Sequence, residues 1–265
     1  MSVGLTFSDA AVVTKRNLIK IKRVPEVLIW TTMSPIMFVL LFGYVFGGSI
    51  AIQGTSYREW LIAGVFAQTV IFGSTFTGAG LAEDMTKGII DRFRSLPMSR
   101  AAVLAGRTGS DIVYNSTSIL VMSLAGLIIG WRIRTGPIDA IGGFLLLLLF
   151  AYAVSWIMAF VGMRVSSLEV FQNASFMFIM PVTFVAGTFV DPKTLPGPLE
   201  TFAYWNPVTA VATAVREAFG NLGTEPIPDV WSLQNPVLYT LIWVGIILAV
   251  FIPLSVRQYN KAASR

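Results

Sequence analysis

The chain has 265 residues, 55% of them hydrophobic and only 12% charged, with no cysteine and no histidine. Its mean hydropathy is +0.72. Soluble domains carry about 25% charged residues, so this chain has too little charge to cover a water-soluble surface. A disulfide scaffold, a Cys/His metal site, a Ser-His-Asp triad and any imidazole base are excluded outright.

In chain order, residues 5–24 come first, with Val12, Val13 and Ile19 on one helical side and Lys15, Arg16, Lys20, Lys22 and Arg23 on much of the remainder. That pattern fits an amphipathic helix in the headgroup layer, or a basic flank that orients the next span. Apolar runs long enough to cross a bilayer follow at 27–46, 60–81, 111–130, 138–163, 170–190 and 237–256. Pro35 and Pro181 fall inside two of them and predict kinks. No signal peptide is expected, because residues 1–14 lack a basic start and a cleavage site. The expected fold is therefore an all-α integral membrane protein of six transmembrane helices, forming one domain over 1–265.

Between the second and third runs lies a dense, mixed-charge segment, 83–100. Met85, Ile89, Phe93 and Leu96 recur there at helical spacing as one apolar stripe. Asp84, Lys87, Asp91 and Arg94 fall on other faces, and Pro97 ends the pattern. A solvated hairpin would need the charges but not the stripe. A short helix joined at both ends to spans is a lever, and whatever grips it moves spans two and three together.

Between the fifth and sixth runs, Pro192, Pro196 and Pro198 precede WNPVTAVATAVREAFGN. Asn206 suits a helix N-cap, Pro207 the first helical position and Gly220 the stop. The helix so bounded has about 13 residues, too short for a ~30 Å hydrocarbon core, so a re-entrant or interfacial placement is expected. Its apolar face needs lipid, the ends of the spans or a second subunit. It serves either as a gate or as a passive cap.

Six spans place both termini on one side, with most of the basic residues. Only Arg58, Arg132, Arg134, Lys193 and Arg216 of the 19 basic residues fall opposite. The asymmetry predicts cytoplasmic termini and explains the pI near 9.6 without a nucleic-acid partner. No GxxxxGK[ST] occurs, so no phosphate-cradling loop is present. Apart from Asp111 and Asp139 at span boundaries, the expected spans hold no Asp or Glu for ion coupling. Energy must come from another chain.

The six-run layout, RVPE at 23–26, EDMTKGIIDRFRSLPMSR at 83–100 and NPVTAV at 206–211 resemble permease subunits of ABC-2 type exporters. Within that family the chain is similar to the actinobacterial daunorubicin/doxorubicin-resistance group. The resemblance covers essentially the whole chain. It implies a bacterial plasma-membrane permease that pairs with a second permease, identical or homologous, and with two copies of a cytoplasmic ABC ATPase. ATP and magnesium would bind that ATPase, with no cofactor on this chain. It further implies that 5–24 is a connecting helix and that 83–100 is the coupling helix. ATPase coupling would then fall to Glu83, Asp84, Met85, Gly88, Ile89, Asp91, Arg92, Phe93, Arg94, Leu96, Pro97 and Arg100. Residues 195–220 would be outer helices closing the exit, with Asn206, Pro207 and Thr209 at the gate.

The expected function is ATP-driven export of amphipathic or lipophilic compounds, drug or lipid; a non-transporting membrane scaffold or immunity protein is the alternative. A route between two permeases should present adaptable apolar and weakly polar groups. Span two offers Gln68, Phe72 and Thr75 on one face; span five offers Asn173, Met177, Met180 and Phe184. Ordinary packing within the same subunit accounts for any single one of these positions more readily than a substrate route does.

Overall fold

The computed structural model describes residues 33, 35–47, 50, 52–88 and 100–262. The expected amphipathic stretch 5–24, most of the first half of the 27–46 run, and Ile89, Asp91, Arg92, Phe93, Arg94, Leu96 and Pro97 lie outside them. Every regular element among the described residues is helical. They are α1 (Pro35–Val45), α2 (Tyr57–Gly73), α3 (Thr75–Thr86), α4 (Arg100–Ile129) and α5 (Pro137–Gly162). After them come α6 (Leu168–Val185), α7 (Gly197–Tyr204), α8 (Pro207–Phe219), α9 (Trp231–Gln234) and α10 (Pro236–Ala262). Five helical stretches are long and apolar enough to cross a membrane: α2 with α3, then α4, α5, α6 and α10.

Helix ends follow local chemistry. Ser56 starts α2 by accepting a hydrogen bond from the Glu59 amide, and Ser167 starts α6 the same way from Val170. Between α2 and α3 the chain only bends. The Ser74 hydroxyl bonds back to the Val70 carbonyl at 2.7 Å and lies 2.9 Å from the Ala151 carbonyl of α5, so the two helices act as one span. That span begins three residues before the expected Trp60 and runs past Leu81 to Thr86. It ends at Gly88, whose φ of +63° favours glycine.

Two expectations change as a result. Glu83, Asp84 and Met85 continue span two to Thr86, and residues 89–99 of the expected coupling segment lie outside the described residues. Met85 packs inward against the cluster of Leu81, Leu104 and Trp156, and Ile89, the next position of the expected stripe, lies outside the described residues. The helix carrying the third span starts at Arg100 and its apolar span at Gly106 rather than Asp111, which places Asp111 within the helix, 4% exposed.

Span two forms the axis of the bundle, with α4, α5, α6 and α8 packed around it. At the end bearing α8, the rings of Phe66, Trp131, Phe144 and Phe219 interlock, with centroid separations of 4.8–6.0 Å. The Trp131 indole donates to the Asn221 side-chain oxygen at 2.7 Å. The short α8 is thereby held by the ends of the spans in its own chain.

Candidate functional site

A cavity of about 620 Å³ opens between α1, span two, α4 and α6. Its size falls within the range of small-molecule sites. Phe38, Phe72, Phe76, Phe171 and Phe176 supply aromatic walls, and among the described residues no ionisable side chain other than the Tyr114 phenol lines it. Two polar groups stand out. Among the described residues the Gln68 amide, 2% exposed, has no hydrogen-bond partner at either end, and neither does the buried Ser175 hydroxyl. Thr75 also lines the cavity but spends its hydroxyl on the Phe72 carbonyl at 2.7 Å. A buried amide without partners is costly, and a ligand oxygen or N–H entering here would relieve that cost.

Of the expected pathway residues, the structure brings Gln68, Phe72, Thr75 and Met180 to this cavity. Asn173 and Met177 are exposed on the far side of α6, and Phe184 packs instead on Phe38 and Phe189, at 6.2 and 4.9 Å. The inward face of α6 is Phe171, Ser175, Ile179 and Thr183. Positions two residues away point roughly 200° around the helix, hence to the opposite face. Ser175 was the available signal, because a small polar residue in an apolar span marks the packed side.

At the α8 end, three side chains tie this helix to the ends of two spans. Asn206 caps α8, accepting from the Val208 amide at 2.9 Å, and its amide donates to the Val182 carbonyl of α6 at 2.8 Å. Pro207 opens the helix, and Gly220 ends it at φ +71°. The Thr209 hydroxyl accepts from the Gly187 amide at 3.1 Å. Arg216, which sequence reasoning treated only as a surface charge, is buried. It donates to the carbonyls of Trp60 and Thr188 at 3.0 and 3.2 Å and stacks 3.4 Å over the Trp60 ring. Burial pushes its pKa down, while Asp191 works the other way. Gly64 makes this possible, since any side chain there would meet the guanidinium.

At the opposite end, Asp84 is not an exposed rim charge. It is buried and ion-paired with Arg107 of α4. Glu83 pairs with Lys87 at 2.6 Å, and Gly88 and Arg100 flank the segment outside the described residues.

These features define a multi-pass membrane protein with an uncharged, aromatic-walled cavity among its spans. The chain belongs to the ABC-2 type transporter family, which it matches over residues 9–219. It is 34% identical over 249 residues to the daunorubicin resistance ABC transporter permease protein DrrB1 of Streptomyces coeruleorubidus, covering 94% of this chain and 85% of that protein. It is also 23% identical over 253 residues to the probable doxorubicin resistance ABC transporter permease protein DrrC of Mycobacterium tuberculosis, covering 95% and 88%. The chain is accordingly a transmembrane permease of the ABC-transporter type.

Proposed function

We propose that the chain is the membrane subunit of an ATP-driven exporter that carries lipophilic or amphipathic compounds out of the cytoplasm of a bacterial cell. The observation that carries this reading is the 620 Å³ cavity, apolar enough for a lipophilic body and equipped with the free Gln68 amide to orient it. Drug-resistance relatives support the same substrate class. A separate ATPase, in two copies, supplies the energy through residues 83–100 of each of two permeases, and both termini lie in the cytoplasm.

In this scheme span two is the transmission element. Its Lys87 end meets the coupling segment, its middle lines the cavity, and its Trp60 end is tied by Arg216 to α8. Displacing one end moves cavity wall and outer helix together. Asn206, Pro207 and Thr209 hold the exit by fastening α8 to the end of α6.

The test is co-purification of a partner ATPase with the permease, followed by ATP-dependent uptake of a lipophilic dye into inverted vesicles. Phe93→Asp and Arg94→Glu should each abolish ATPase capture while membrane insertion persists. Wild-type capture by both variants would remove the coupling assignment.

A further inference from the structure

Toward α8, the cavity beside Gln68 ends in a roof of aromatic rings. Phe38 lines the cavity from α1, and its ring lies 6.2, 6.2 and 5.6 Å from those of Phe42, Phe184 and Phe189. Phe189 closes the set, 4.9 Å from both Phe42 and Phe184. Phe42 stands one turn beyond Phe38 on α1, and Phe184 one turn beyond the cavity residue Met180 on α6. Phe189 is 1% exposed, and its carbonyl accepts from the hydroxyl of Tyr57 at the α8 end of span two, at 2.7 Å. The rings thus lie between the cavity and the α8 face. At these separations they are packed against one another, with no room for a compound to pass among them. The flank at Phe176 is different: that residue lines the cavity and is 57% exposed, so the cavity reaches the surface there.

Both helices that carry the roof change character at it. Over Leu41–Phe46, α1 widens into a π-helical turn, a form frequent at functional sites. In α6, Pro181 falls between Met180 and Phe184 and brings no amide for the Met177 carbonyl. The end of α6 and the residues after it are also where α8 is fastened. The Asn206 amide donates to the Val182 carbonyl, the Gly187 amide donates to the Thr209 hydroxyl, and Arg216 donates to the Thr188 carbonyl. Displacing α8 therefore pulls on the backbone that carries Phe184 and Phe189.

We propose that Phe38, Phe42, Phe184 and Phe189 form a seal that closes the cavity toward the α8 face and parts when α8 is displaced. Its purpose rests on the export reading, because a route through the cavity needs its exit shut while a compound is held. A constriction of rings also keeps water and ions out by dewetting.

The chain contains no cysteine, so single thiol reporters can be placed without background. Met180→Cys puts one in the cavity, and Lys193→Cys marks the face that carries α8. Intact cells or inverted membrane vesicles, whichever expose Lys193→Cys to an impermeant maleimide, set the face to be probed. From that face the impermeant reagent should leave Met180→Cys unmodified, while a membrane-permeant maleimide modifies it. Adding Phe189→Ala, or Phe38→Ala with Phe42→Ala, should raise impermeant labelling by about ten-fold or more as the constriction becomes wet. Thr209→Val, which removes one tie to α8, should raise it by a smaller factor. Phe178→Ala, on the exposed side of α6, should leave it unchanged. Where an alanine variant inserts poorly, Phe42→Leu and Phe189→Leu keep the apolar bulk, remove the ring and should give intermediate labelling. Fast impermeant labelling with every ring in place overturns the seal, as does a wild-type rate in all the ring variants. A wild-type rate in Thr209→Val overturns its link to α8. These readouts use neither ATPase nor substrate, so the seal and the export reading fail separately.

Discussion

Span two and α6 are nearly equal in apolar character, yet 83% of the most apolar window of span two is buried inside the chain, against 22% for α6. Hydropathy separates membrane from water and says nothing about axis or rim. The difference lies in small residues. Gly64, Gly73, Gly78 and Gly80 of span two each sit where a Cβ would collide with a neighbouring helix or its side chains, while α6 contains no glycine. Close approach without side chains lets α4, α5 and α8 crowd onto span two. In contrast, α6 shows Met177 and Phe178 to the outside, at 73% and 71% exposure. One helix is therefore built as an axis, and the other as a wall with one face on the cavity and the other exposed.

The sharpest way to break this contrast is Gly78→Leu, whose side chain would enter the space of the Met158 carbonyl and the Phe171 ring. It should cost about 3 kcal/mol or more and leave little protein with cooperative thermal unfolding in detergent. Next is Arg216→Ala, which strands the Thr188 carbonyl and removes the cation from the Trp60 ring and should cost about 2 kcal/mol, with hydrogen exchange rising first in α8. At the rim, Phe178→Ala should shift stability by less than about 0.5 kcal/mol. A large loss there would show that the outer face of α6 is packed even in the isolated chain.

The sequence made some of this legible and hid the rest for physical reasons. Asn206, Pro207 and Gly220 bound α8 as expected, because capping is local chemistry written within a few residues. Apolar runs located the long helices to within several residues, although α4 starts 11 positions before the expected Asp111, on a polar, helix-compatible stretch that hydropathy does not register. Asn173 and Met177, expected on the substrate route, fall on the exposed side of α6 and not on the cavity. Both faces of a membrane helix are apolar, so periodicity carries little information about direction. The Asp84–Arg107 pair and the burial of Arg216 were hidden for another reason: each joins residues far apart in the chain, and charge alone suggests a surface position.

The central claim is that compounds pass the cavity beside Gln68, and transport through proteoliposomes holding the permease with its ATPase tests it most directly. Gln68→Leu keeps the volume and removes the free amide, so the account predicts an intact, well-folded complex whose ATP-dependent uptake falls several-fold for a hydrogen-bonding amphiphile and much less for a purely apolar dye. Wild-type uptake of both compounds by that variant would contradict it.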